Sequence, residues 1–237
     1  YFPSQKAASL NGASPKINVF FANVERGNSN YQAVRNVINE KRPNVVCLSE
    51  VDSEWLEELD LELDYPFSAL KPSDGHFGIA LYSKLAIVRP PIFSLGDELP
   101  PVVLTELELG EFGRALVACL HAIPPYSSEV YFKNRLLFRR IATEFRHHDG
   151  KKVLFGDLNA TPLNRFYGMM LWGARMRNAA EGFGVQRTWN AKSTLFRLPI
   201  DHIFYGGNIL VEDFEVLSDI GSDHFPIFAS MSVYGMQ

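Results

Sequence analysis

The chain has 237 residues, 46% of them hydrophobic and 21% charged. That is enough to bury roughly 70% of its extended surface, and it excludes a disordered or collagen-like chain. No apolar run approaches the ~18–20 residues of a membrane-spanning helix, so a soluble domain is expected. With 23 Lys+Arg against 27 Asp+Glu the formal net charge is -4. This offers no general attraction for nucleic acid or an anionic membrane and leaves a local basic patch open.

The chain begins at Tyr1 and not at Met, which suggests a trimmed or processed product. Residues 1–14 (YFPSQKAASLNGAS) are small and polar, and a flexible linker is expected there ahead of one domain over 15–237. Residues 17–24 read as a strand. Ser29, with Gln32 three residues on, is expected to cap a helix whose apolar stripe is Tyr31, Val34, Val37 and Ile38. The wholly apolar run 44–48 predicts a strand covered on both faces, with Ser49 and Glu50 at its carboxyl end. A short acidic helix is expected over 53–63. Strand-like runs follow at 78–83, 86–93, 102–109 and 114–123, punctuated by Pro90, Pro91, Pro100 and Pro101.

Val130, Leu137, Ile141 and Phe145 mark one face of a helix over 129–147, whose Lys and Arg residues form a solvated face. A strand at 152–155 runs into Gly156-Asp157-Leu158-Asn159, after which Thr161 and Pro162 suit the N-cap and first turn of another helix. Further strands are expected at 198–205, 209–216 and 225–233. This order predicts an α/β protein in which two mixed sheets pack together between outer helices. Cys47 (NVVCL) and Cys119 (LVACL) sit in apolar runs and read as buried thiols. They exclude a disulfide scaffold and leave the compartment open.

Asn23, Glu50, His121, Asp157, Asn159, Asp201 and the pair Asp223-His224 all fall at or just past an apolar strand. Singly, an Asp or Asn there is an ordinary turn former. Together they form a set of oxygen ligands for a hard cation with two histidines for proton transfer, and no Ser or Cys nucleophile motif accompanies them. The carboxyl ends of strands are where open α/β sheets hold ligands.

Several segments resemble the endonuclease/exonuclease/phosphatase superfamily of metal-dependent phosphoesterases, over about residues 17–232. Asn23-Val24-Glu25 is similar to its strand-end Asn-Val-x, and Leu48-Ser49-Glu50-Val51 to its L-Q-E-V segment. Residues 77–84 (FGIALYSK) are similar to its G-x-A-I-L-S-R strand, and His121 falls at its histidine, with Leu120 where Thr often stands. Residues 156–162 (GDLNATP) match G-D-x-N-x-x-P in full. Thr188-Trp189 with residues 199–204 (PIDHIF) resembles T-W…x-I-D-H-I, and residues 222–226 (SDHFP) resemble S-D-H-x-P. The resemblance implies a four-layered α/β sandwich with two central sheets, the DNase I-like fold.

It also implies a divalent-metal-dependent phosphoesterase in which an activated water attacks phosphorus in line. The cofactor implied is Mg²⁺, with Mn²⁺ as a substitute. Glu50 is then the principal ligand, Asp223 a second one, direct or through water, and Asn23 a neutral oxygen neighbour. Asp157 and His224 are the candidates for activating water, with the choice between them open, and Asp201 would fix the His224 ring. Asn159 would donate to a phosphoryl oxygen. His121 would contact the phosphate or protonate the leaving group.

Glu25 stands where some relatives carry a metal-linked Asp, and a solvated role is equally open. His76 precedes the strand at 78–83 and could line the cleft, a loop histidine being the favoured reading; His202 should face away from the site, and His147-His148 reads as a helix C-terminus. Trp189 suits a cleft wall or the core. The substrate stays open among nucleic acid, a phospholipid or sphingomyelin headgroup and an inositol phosphate. Arg26, Lys71, Arg165, Arg175 and Arg187 could serve a nuclease, which the net charge does not favour. No obligate protein partner is expected. Tethering to a membrane in a longer parent is left open, and the alternative function is a catalytically silent binding domain on the same scaffold.

Overall fold

The computed structural model describes residues 15–235, so the linker expected over 1–14 lies outside the described residues. The first half runs β1 (Lys16–Asn23), α1 (Tyr31–Lys41), β2 (Val45–Ser49), α2 (Ser53–Leu59), β3 (Phe67–Lys71), β4 (Ile79–Ser83), β5 (Val102–Glu108) and β6 (Arg114–His121). The second runs α3 (Ser128–His147), β7 (Lys151–Asp157), α4 (Arg165–Gly168), β8 (Arg177–Asn178), β9 (Asp201–Gly206), β10 (Ile209–Val216) and β11 (Ile227–Val233). The strands make a 6-stranded sheet in the order β10-β11-β1-β2-β4-β3 and a 5-stranded sheet in the order β5-β6-β7-β9-β8.

Alternation along each strand builds the layers, because successive side chains point to opposite faces. Val19, Phe21 and Cys47 of the larger sheet meet Val117, Cys119 and Phe155 of the smaller one in the central core. Their neighbours Phe20, Val46 and Leu48 point outward onto α1 and α2. Leu116, Ala118 and Leu154 point outward onto α3 and α4. This is the four-layered α/β sandwich of the DNase I-like fold. Within each sheet one pair of strands is parallel, β1 with β2 and β6 with β7. Each needs a crossover, supplied by α1 and α3.

Several local expectations change. The cap of α1 is Asn30, whose side chain accepts from the Ala33 N–H, and not Ser29. The acidic helix ends at Leu59 because Asp60 turns left-handed with φ 44°. Residues 86–93 form only isolated bridges at Ile87 and Ile92, as expected of a run broken by Pro90 and Pro91, which lack N–H donors. Thr161-Pro162 opens a turn; the short helix that follows is capped by Asn164. β3 and β8 had no sequence signal, being a half-exposed edge strand and a two-residue strand.

The cysteines are buried as expected, but they are not separate thiols. Cys47 of β2 and Cys119 of β6 face each other across the central core, Cα atoms 6.2 Å apart, and form a disulfide joining the two sheets. Each apolar run could be read alone as a strand, whereas the pairing depends on how the two sheets meet.

Candidate active site

Register brings the strand-end residues to one edge. In the smaller sheet, His121 is level with Asp157 on parallel strands, and Asp157 is level with Asp201 on antiparallel ones. In the larger sheet Asn23 is level with Ser49, which places Glu50 immediately beyond it. β11 pairs antiparallel with β1 up to Phe21–Ile227, so Ser222, Asp223 and His224 run past the same edge. Both edges open on one cavity of about 650 Å³, whose lining includes Glu50, His121, Asp157, Asn159, Asp223 and His224.

Backbone geometry holds these groups in place. Glu25, Glu50 and Asn159 adopt left-handed conformations, φ 60°, 62° and 46°, unusual for residues with a side chain and costing on the order of 1 kcal/mol each. The Glu50 turn is fixed by its N–H donating to the Gly78 carbonyl at 2.8 Å. A Cβ at Gly78 would collide with the Val51 carbonyl, so the close approach requires glycine. Asn159 is tied by its backbone N–H to Asp157 Oδ1 at 2.8 Å and by its side-chain amide to the Ala122 carbonyl at 2.8 Å.

Asn23 links the two sheets. Its side-chain amide donates to Glu50 Oε1 at 3.0 Å and reaches Asp157 Oδ2 at 3.4 Å. Glu50 Oε2 also accepts the Arg26 N–H at 3.0 Å and meets His76 Nδ1 at 3.1 Å. His121 points Nδ1 at the His76 carbonyl, 3.0 Å away. Its Nε2 lies 3.5 Å from Asp157 Oδ2 and 3.9 Å from Glu50 Oε1. On the other side of Asp157, His224 Nε2 is 3.7 Å from Oδ2. His224 Nδ1 meets Asp201 at 2.9 and 3.2 Å.

Burial acts on all three ionisable poles and is answered differently at each. At Glu50 it pushes the carboxyl upward, but the Arg26 N–H, the Asn23 amide and the nearby histidines outweigh it and hold the carboxyl below its ordinary range. At Asp157 burial and the Asp201 charge prevail over His224 and His121, raising the group to about 6. At His224 burial is overcome by Asp201, Asp157 and Asp223, so the imidazolium is favoured and the value rises to about 10.

Of the residues singled out from the sequence, Glu50, His121, Asp157, Asn159, Asp223 and His224 line the cavity, whereas Asn23 and Asp201 contact them from behind the wall. His76, read as a loop histidine, lines the cavity against Glu50. Trp189 is a wall, and its indole N–H donates to Asp223 Oδ2 at 2.8 Å. Glu25 is neither a cavity ligand alone nor simply solvated. Its carboxylate accepts the Asp223 N–H at 3.0 Å and pairs with Lys192 at 2.6 Å. Of the basic residues considered for nucleic acid, Arg26 is on the cavity wall. The proximity of His76 had no sequence signal, since it depends on the loop between β3 and β4 folding back over β2.

The carboxylate set suits a hard cation. Glu50 is favoured ionised and lines the cavity together with Asp223, and the Asn23 amide beneath them donates to Glu50 while its oxygen accepts the Glu25 N–H. Asp157, Asp201 and His224 also bring ligand atoms within 4.8 Å of one another. In that group, however, both Asp201 oxygens are engaged by His224.

Residues 17–224 match the model of the Endonuclease/Exonuclease/phosphatase family. Among solved structures, the chain is similar to an endonuclease/exonuclease/phosphatase from Beutenbergia cavernae, with 18% identity and TM-score 0.74, covering 92% of this chain and 72% of that one. Humanized D. rerio TDP2 shows 15% identity and TM-score 0.75, covering 92% of this chain and 99% of that one. The human Nocturnin catalytic domain, solved with bound sulfate, shows 18% identity and TM-score 0.73, covering 93% and 96%.

Proposed function

Because the chain belongs to the endonuclease/exonuclease/phosphatase family, we propose that it is a hydrolase that splits a phosphodiester or phosphomonoester with a divalent cation, Mg²⁺ or Mn²⁺ in its place. The observation that carries this reading is the double contact of the Asn23 amide, 3.0 Å to Glu50 and 3.4 Å to Asp157. It joins a cation-binding carboxylate on one sheet to a proton-handling carboxylate on the other. Glu50 and Asp223 would hold the ion, with Asn23 as a neutral neighbour. When bound, such an ion neutralises phosphoryl charge and stabilises the leaving oxygen.

The chain's own groups do the rest. Asp157 accepts a proton as the water oxygen bonds to phosphorus and the P–O bond to the leaving group breaks. Its raised value of about 6 puts it near neutral pH, where a general base works well. His224, held protonated by Asp201, presents Nε2 as a cationic donor. One hydrogen of the Asn159 amide is used by Ala122, leaving the other for a phosphoryl oxygen. His121 Nε2, directed at Asp157 and Glu50, serves the phosphate or returns a proton to the departing oxygen.

The test is turnover of bis-p-nitrophenyl phosphate with Mg²⁺ or Mn²⁺. Asp157→Asn is expected to lose about 10²–10⁴-fold, the usual share of a general base, with its thermal melt intact. If wild type and variant are equally inactive across metals and phosphoesters, the silent binding domain replaces this reading.

A further inference from the structure

Three loops on the smaller sheet's side of the cavity share a chemistry absent from the opposite side. They span 122–127 between β6 and α3, 158–164 between β7 and α4, and 182–200 ahead of β9. Their feet line the cavity, including Pro124, Thr161, Trp189 and Leu198. Their tips turn large apolar side chains to solvent: Tyr126 is 78% exposed, Leu163 98%, Val185 75%, Leu195 83% and Phe196 81%. Elsewhere among the described residues only Leu63 and Trp172 are as exposed. Single exposed apolar residues need no explanation, but several on loops whose feet line one cavity mark a surface that meets something.

The charge on these loops narrows what that is. In a chain of net charge -4 they contain Arg187, Lys192 and Arg197, with Arg165 immediately after the second loop; the acidic residue of the β8–β9 connection, Glu181, is paired with Arg177. Lys192 is occupied by Glu25. Arg187 and Arg197 border a shallow depression together with Val185 and Leu195, so cationic and apolar side chains alternate on one face. Arg197 lies over the Phe225 ring at 4.8 Å, anchored while keeping its charge. A nucleic-acid surface would pair cations with a row of aromatic stacking faces, whereas here Tyr126 and Phe196 are interspersed with Leu163, Val185 and Leu195. Mixed aliphatic and aromatic tips beside arginines match the boundary of a bilayer, where acyl chains lie beneath anionic headgroups.

We propose that loops 122–127, 158–164 and 182–200 dock this domain onto an anionic phospholipid bilayer and present the phosphodiester of a lipid headgroup to the cavity. The substrate half of the proposal rests on the phosphoesterase reading above; the docking half does not. Hydrolysis there forms a bond from water oxygen to phosphorus and breaks one P–O ester bond, leaving a phosphomonoester and a neutral alcohol whose departing oxygen has taken up one proton.

The experiment is flotation with phosphatidylcholine vesicles, with and without phosphatidylglycerol, alongside turnover of vesicle lipid and of bis-p-nitrophenyl phosphate. Wild type is expected to float with the anionic vesicles. The triple variant Leu163→Ser/Leu195→Ser/Phe196→Ser should lose at least about tenfold in partitioning, and Arg187→Gln/Arg197→Gln about tenfold on anionic vesicles only. Both should keep soluble-diester turnover within about twofold, as these side chains stand outside the reacting groups. No flotation of wild type, unchanged flotation of the triple variant, or binding of single-stranded oligonucleotide through the same tips would overturn the docking surface. Flotation without turnover of any diester would retain docking and reject the phosphoesterase. Turnover of the soluble diester with flotation but none of vesicle lipid would reject the lipid substrate.

Discussion

The two sheets approach the cavity with opposite rims. Around the larger sheet, loops 24–30, 50–52, 72–78 and 217–226 carry Glu25, Glu50, Asp52, Asp74, Asp219 and Asp223, with Arg26 as their one Lys or Arg. Around the smaller sheet the loops carry cations and exposed apolar groups, and its carboxylates, Asp157 and Asp201, are withdrawn onto the strands and buried. An acidic rim suits a cation, because clustered carboxylates are stabilised when one arrives. Carboxylates buried beside histidines suit proton handling, because burial lifts Asp157 to about 6 while its acidic neighbours keep His224 protonated. The comparison separates two settings: exposed and half-buried carboxylates on the larger sheet's rim, where His224 also stands, and buried Asp157 and Asp201 on the strand ends of the smaller sheet.

The largest expected effect separates the proposed roles of His224 and Glu50, which share the larger sheet's rim. His224→Ala should lower turnover about 10²–10⁴-fold while calorimetry still detects Mn²⁺ binding. Glu50→Ala should lose measurable ion affinity. Equal loss of ion binding in both variants would merge the two roles.

The disulfide tests how far the sheets depend on each other. Cys47→Ala/Cys119→Ala should cost about 2–4 kcal/mol in urea unfolding, and thiol titration of the unreduced, denatured wild type should find no free thiol. Titration of two thiols would break the inter-sheet link. The smallest effect concerns His202, on the outer face of β9 directly behind Asp201. It is buried, its Nε2 lies 2.8 Å from the Ala160 carbonyl and its Nδ1 3.2 Å from the Asn178 amide. Burial, opposed by the Ala160 carbonyl and the Asp201 charge, holds it below its ordinary value, so the unfolded chain binds the extra proton first. Stability is therefore full above the ordinary histidine value of about 6.5 and falls as pH drops through it toward the lowered folded value. His202→Gln should flatten this slope in urea midpoints measured across that range; an unchanged slope would assign it to another group.

The strand-end residues were legible because motif and period coincide. An apolar run ending in Gly156-Asp157 or Leu48-Ser49-Glu50 marks both a strand and its functional end. Helix α3 was equally legible, its buried Val130, Leu137, Ile141 and Phe145 standing at helical spacing. What stayed hidden depends on distant segments meeting. His76 lies in a loop without periodicity, and its role comes from a 3.1 Å approach to Glu50. The Trp189 bond to Asp223 spans 34 residues. β8 is too short for any pattern to show.

Local sequence thus settled which side chains end the strands, since hydrophobic alternation and chain-terminating polar residues are written in adjacent positions. Only tertiary structure decided that Cys47 meets Cys119, that Asn23 touches carboxylates from both sheets, and that Glu50 and Asp223 share one cavity with Pro124, Thr161 and Trp189. Those facts follow from packing two sheets face to face, and close approach between residues far apart in the chain leaves no trace in the order of the residues themselves.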